Sequence, residues 1–251
     1  MEESSKPTRR ALVVAGGSAA LAATVAVAWY LRRKQRQRRL EQVLDAIDAI
    51  NVGDPRMDEL QEGEVVEKAG SGSASQRPKE WLYGKRMSRR LNIFSPNCSD
   101  VVKVAARAQH VKRWVSERAS YPEGTAGYKQ WRQELAKMHG KIASEEMLKA
   151  GFPEKEAKRV VTLLTKKDIK KDAEVQLLED VICLVFIEFY WIPFSKKHVT
   201  EPGKDAMGEE KLLDIVRKTW VKMSDAGHQA ALQLPLAEGP KALIVKALQG
   251  A

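Results

Sequence analysis

The chain has 251 residues, 43% hydrophobic and 6% aromatic, enough for one sizeable domain or two small ones and unlike a disordered or low-complexity chain. Two cysteines, Cys98 and Cys183, are too few for a disulfide framework, and Cys183 reads as a small hydrophobe inside VICLVFI, so cysteine usage points to a reducing compartment. The net charge of +10 would suggest a nucleic-acid partner, but residues 1–40 hold nine Lys or Arg against Glu2 and Glu3; only +3 remains for the rest of the chain, and the nucleic-acid reading loses its basis.

After a tail at 1–10, the 21 residues from Ala11 to Leu31 carry no charge. A helix of that length, at about 1.5 Å per residue, spans a hydrocarbon core of roughly 30 Å. Trp29 and Tyr30 stand where an interfacial aromatic belt would. A cleaved signal peptide is the other reading, but its apolar region is shorter and ends in small residues, whereas this one ends in aromatics and arginines. Residues 11–31 are therefore expected to be a transmembrane anchor. The basic juxtamembrane segment 32–39, RRKQRQRR, has six positive residues against three before the span, which leaves the large domain on the cytosolic side. Such an anchor resembles the signal anchors of organelle outer membranes.

From residue 40 to 251 the periods are helical. Leu40, Val43, Leu44, Ile47 and Ile50 form one stripe, ended by Asn51 and Gly53-Asp54-Pro55. Residues 63–78, with AGSGSASQRP, read as a flexible loop. Val101, Ala105, Ala108 and Val111 follow a Ser99 cap; Trp131, Leu135, Met138 and Ile142 follow, with a stop near Gly151; then come Ala157, Val160, Val161 and Leu164. Val175, Leu178, Ile182, Val185 and Phe189 belong to a helix apolar on every side after Asp180, the mark of a central helix. Leu212, Ile215, Val216, Trp220 and Met223 form another, and a short helix starts near Pro240. No stretch alternates as a strand would. The fold class is all-α, without internal repeats.

The stretch RAQHVKRWVSERASYP carries Arg107, His110, Arg113 and Trp114 at i, i+3 and i+4 spacing, one face of a helix if the helix continues. A solvated face needs neither the histidine nor the tryptophan, so this is a site or a packed wall. His139 lies at the margin of its own stripe. Glu179 and Asp180 open the central helix, where a carboxylate needs a metal, an arginine or a proton. His110, His139 and Asp180 on three helices could share one divalent ion (Zn, Fe or Mn) with positions open to water; they could equally be a hydrogen-bonded polar network, since no spacing such as H-E-x-x-H is present. Arg107, Arg113, Arg118 and Arg132 could cradle a phosphate, or these and Arg86 could pair with carboxylates. Tyr121, Tyr128, Trp131 and Trp114 could stack on a ring or fill the core.

The order of His110, His139 opening HGKIASEEMLKAGFPEKEAKRVVTLLTKKD, and LLEDVICL resembles the HD phosphohydrolase superfamily of all-helical metal enzymes. The resemblance implies His110, His139 and Asp180 as metal ligands, and Glu179 and Asp180, at the entrance of the central helix, are the expected catalytic carboxylates. Gly140 stands where the paired aspartate belongs, and Lys166-Lys167 where many such proteins have another histidine, so the implied site is a degenerate one. IDAINVGDP, EWLYGKRMSRRLNIFSP, AARAQHVKRW, YPEGTAGYKQWR, LEDVICLVFIEFY and RKTWVKMSDAGHQAAL, in that order, look like an uncharacterised family, domain of unknown function 4202. Some members carry a glutamyl-tRNA synthetase label; Lys222-Met223-Ser224 is reminiscent of the class I signature, but no HIGH partner motif accompanies it.

The expectation is thus an HD-like helical bundle behind a single membrane anchor, acting as a degenerate metal-dependent phosphohydrolase on a phosphorylated small molecule or nucleotide. Its alternative is a catalytically silent, membrane-tethered interaction module with a buried His/Asp/Arg network. The sequence sets no oligomeric state.

Overall fold

The computed structural model describes residues 9–70, 72–166, 169–191, 193, 209–236 and 238–249, with the backbone alone for 9–23, 209, 238–240, 243 and 249. Helix α1 (Arg9–Val52) runs without a break through the expected anchor, the basic segment and the first stripe, so neither residue 31 nor residue 39 marks a hinge. Its C-terminal third packs on the domain through Val43 and Ile47, both buried. Arg36 ties the middle of α1 to the body through Asp100 at 2.5 Å and Glu156 at 2.8 Å.

Two short strands, β1 (Met57–Glu59) and β2 (Gln76–Pro78), pair antiparallel with Met57 opposite Pro78. The sequence reading had no strand here. Three-residue strands are too short for alternation to register, and what fixes them lies elsewhere in the chain. Arg77, buried, donates to the carbonyl oxygens of Glu67, Ser73, Ala74 and Gln76. Arg86 bonds Glu64, Asp58 and the Glu59 carbonyl. The two guanidinium groups clamp this strap against α2 (Lys79–Phe94).

Next come α3 (Asp100–Ala108), capped by the Ser99 side chain as expected, then α4 (Gly124–Lys149), α5 (Glu154–Thr165) and α6 (Ala173–Val185), whose chain continues through a π-helical turn, Phe186–Tyr190. The last three helices are α7 (Glu209–Lys222), α8 (Asp225–Leu232) and α9 (Glu238–Gln249). Helix α6 is central. Val175, Leu178, Val181 and Val185 enter a core shared with α1 to α5, while Cys183, Leu184, Ile187 and Trp191 enter a second core with α7 to α9. Two glycines let helices approach closely. A Cβ at Gly84 would lie 3.0 Å from Arg107 Cδ and 3.1 Å from its carbonyl oxygen, and one at Gly140 would lie 3.2 and 3.3 Å from Val161 atoms.

The coarse fold class, all-α, holds. Among the described residues no helix is long and apolar enough to cross a membrane, and the side chains of 11–23, most of the expected anchor, lie outside those described.

Candidate functional site

Helix α3 ends at Ala108, and Lys112 takes a left-handed φ of 56° before a short turn, Arg113–Val115. The wall expected from Arg107, His110 and Arg113 on one helical face therefore does not form. The cause is tertiary: buried Asn51, at the end of α1, accepts the Lys112 N–H at 3.0 Å and turns the chain away from the helix axis. Arg107 is left facing α1, bonded to Asp48 at 2.6 Å and to Ser88 at 2.8 Å, and is no part of the cleft. His110 and Arg113 turn the other way.

There they line a cleft of about 740 Å³ enclosed by α2, α4, α6, the π-helical turn and α7. His110 stacks on Tyr83 with ring centres 3.9 Å apart and planes 14° from parallel. Its Nδ1 lies 3.0 Å from Glu80 Oε2 and its Nε2 2.6 Å from Arg113 Nη1. A guanidinium can only donate, so Nε2 must accept and Nδ1 carries the proton that Glu80 receives. Burial, with Arg113 next, lowers the His110 pKa well below its ordinary value, consistent with that neutral ring. Burial also raises the Glu80 pKa, against the pull of Arg113 and Arg56. Arg56 holds the other Glu80 oxygen at 2.8 Å.

A second cavity, of about 540 Å³, lies behind the first between α4 and α5 and contains His139. His139 Nδ1 donates to the Val111 carbonyl at 2.8 Å, and burial, followed by nearby His110, pushes its pKa down to about 3. The rings of His110 and His139 are 6.2 Å apart. Gln109, His110, Arg113, Arg132 and Lys166 line both cavities. Gln109 Oε1 is buried without a hydrogen-bond partner among the described residues, an orphan that a ligand donor would satisfy.

The structure brings His110 and His139 together but not Asp180. On α6, Asp180 accepts from Ser224 N–H at 2.7 Å, Ser224 Oγ at 2.6 Å and Gln176 at 3.0 Å, and so pins the start of α8. Its neighbour Glu179, about 100° around the helix, is the one that reaches the cleft, where Lys166 Nζ lies 2.8 Å from Oε2 but off the line of a hydrogen bond. Glu179 and Asp180 are thus not a catalytic pair. For the divalent ion implied above, the donors do not fit: Glu80 sits behind His110 on Nδ1, Arg113 covers Nε2, and Gly140 is closed by Val161. Among the described residues no group of three or more His, Cys, Asp or Glu could hold a metal ion. Lys167 lies outside the described residues.

Of the other expected anion ligands, three stay in the cleft. Arg113 lies over the Trp131 ring at 4.7 Å; Arg118 donates to the Tyr121 and Gly124 carbonyls; Arg132 has no ion pair or hydrogen bond among the described residues. None of the three meets a carboxylate. Arg86 is the opposite, closed on Glu64 and Asp58. Trp114, Tyr128 and Trp131 line the cleft, whereas Tyr121 bonds Glu134 outside it. Sequence reasoning missed Glu80, Tyr83, Gln109 and Lys166. Glu80 and Tyr83 had a signal, a carboxylate and a hydroxyl within the apolar run EWLY; Gln109 had none.

Fold and site together define an all-α domain built around a central helix, with a cationic, aromatic-walled cleft. The chain belongs to the family described as a domain of unknown function, DUF4202, whose model matches residues 41–244. Among curated proteins and solved structures, nothing matches the chain.

Proposed function

We propose that the cleft binds a small phosphorylated molecule bearing a planar ring, on a domain held at a membrane by α1. The observation that carries this reading is Arg113, Arg118 and Arg132, partly buried together and in no ion pair among the described residues, with Glu80 acting on Arg113 only from the far side of His110. Cations crowded in a partly dry cleft repel one another. Burial lowers the Arg113 pKa against the opposing pull of Glu80, and neighbouring Arg132 adds to the lowering. Such an arrangement costs stability unless an anion completes it, and guanidinium groups suit phosphoryl oxygens through paired, charge-assisted bonds. The Trp114, Tyr128 and Trp131 side offers a face for a ring.

Metal-dependent hydrolysis of the HD kind is not the reading the donor set supports, so no metal enters the proposal. The silent module is the second reading: His110, His139 and Asp180 each have hydrogen-bond partners, but Gln109 Oε1, on the wall of both cavities, is left without one among the described residues, which favours a bound ligand. Attachment to a membrane rests on α1, where Val25, Val27, Trp29, Tyr30 and Leu31 are all more than half exposed just where the helix leaves the body; the cytosolic side rests on the basic segment 32–39, and an organelle outer membrane on the likeness of such a segment to the signal anchors found there. Deleting residues 1–31 should move the protein from the membrane pellet to the soluble fraction in high salt; retention in the pellet contradicts the attachment.

The binding test is calorimetry on the full chain in detergent with phenyl phosphate. Saturable binding that weakens by about tenfold in Arg132→Met is expected, since one charge-assisted contact to an anion is worth about 1.5–3 kcal/mol. Absence of binding, or equal binding by the variant, overturns the reading.

A further inference from the structure

We propose that His110 is a phosphoryl acceptor, its Nε2 forming a covalent bond to the phosphorus of the bound phosphate ester; this rests on the reading of the cleft as a phosphate site. Three features of the ring support it. Its tautomer is set, with Nδ1–H on Glu80 and a lone pair on Nε2. Its orientation is locked between the Tyr83 face and two hydrogen bonds. And 18% of its side-chain surface is open, so the lone pair is reachable once Arg113 moves.

Arg113 now covers that lone pair. A phosphoryl group entering the collar of Arg113, Arg132 and Lys166 offers anionic oxygens, which a guanidinium prefers to a neutral ring nitrogen. Arg113 then shifts to oxygen and uncovers Nε2 only when an anion is present. In the step that follows, the Nε2 lone pair forms the N–P bond and the P–O bond to the leaving group breaks. The leaving oxygen keeps that electron pair and takes a proton from water. The imidazole becomes a phosphoimidazolium that still holds its Nδ1 proton, and the Glu80 carboxylate opposite stabilises the new positive charge. Water then attacks phosphorus, the P–N bond breaks with its pair returning to Nε2, and inorganic phosphate leaves. No metal and no redox partner is needed. Among the five residues common to both cavities, His110 alone presents an uncharged nucleophile, and a cavity on either side leaves room for both the leaving group and the attacking water.

The test uses the full chain in detergent, phosphoramidate as a small phosphoryl donor, and peptide mass spectrometry to follow each of the four histidines. His110 should be labelled well ahead of the other three, in an adduct stable to alkali and lost in acid. Inorganic phosphate should slow it. Arg132→Met should slow it by about tenfold or more, as removal of one preorganised donor does, while its thermal melt stays in place; His110→Gln should abolish it. Labelling of His110 no faster than the other histidines, or an unchanged rate in Arg132→Met, overturns the proposal. If phenyl phosphate binds but His110 is not labelled, the covalent step falls and the binding reading stands; if neither occurs, both fall.

Discussion

Two sets of buried charge in this molecule are built on opposite principles. Beneath the strap, Arg86 is 2% exposed and fully matched, by Glu64, Asp58, the Tyr190 hydroxyl and a carbonyl, with its guanidinium over the Phe189 ring. In the cleft, Arg113 and Arg132 stand near each other without a carboxylate in contact. The first is a closed network that holds the fold; breaking one partner leaves others buried and unpaired. The second is open, and in the proposed reading an anion from outside completes it. Charge count alone does not separate these sets. Pairing does.

The largest effect expected from this contrast is Arg86→Met. Loss of the guanidinium leaves Glu64, with a 3% exposed side chain, without its cation, and should cost about 3–5 kcal/mol in denaturant unfolding. Any molecule that still folds should bind phenyl phosphate as wild type does. A cost under about 1 kcal/mol would mean that the strap network is not closed in solution.

Acid should act on the histidines next. His139 takes a proton only near pH 3 when folded and near 6.5 when unfolded. Between those values the unfolded chain binds more protons, so stability is complete above about 6.5 and falls as pH drops through the window, by up to about 1.4 kcal/mol per unit. His110 adds to the slope with the same sign. His139→Gln should flatten part of it in melts taken across pH 4–8; an unchanged slope contradicts the buried, neutral ring.

Asp180→Ala should cost about 1–3 kcal/mol, because the Ser224 N–H and hydroxyl lose their acceptor and α8 its tie to α6. Calorimetry with phenyl phosphate should be unaffected. A large loss of affinity would return Asp180 to the cleft. Smaller still is Gly140→Ala, whose Cβ would press on Val161, at about 1 kcal/mol in unfolding.

Much of the fold could be read from the sequence because it rests on local chemistry. The Ser99 cap and the all-round apolar α6 are both where pattern put them. The site was harder because tertiary contacts decide it. Nothing between Ala108 and Lys112 is a helix breaker; Asn51, sixty-one residues earlier, ends the helical path there. On α4 the stripe drifts: the buried line is Leu135, His139, Ala143 and Met147, so His139 is central and not marginal. Glu80 in the first turn of α2 looks like an ordinary partner of the helix dipole, and only the strap and His110 make it a buried group. Glu179 and Asp180 are adjacent in sequence and face different helices, a divergence that helical geometry allowed and pairing them as one site overlooked.

The most direct measurement sets Arg86→Met beside Arg132→Met in denaturant unfolding with and without phenyl phosphate. The account predicts that Arg132→Met folds as stably as wild type or better, through relief of repulsion, and that ligand at a hundred times the wild-type dissociation constant stabilises it by only about 1.4 kcal/mol against about 2.7 kcal/mol for wild type; Arg86→Met loses intrinsic stability and keeps the full increment. An Arg132→Met protein that is strongly destabilised yet still fully stabilised by phenyl phosphate would contradict it.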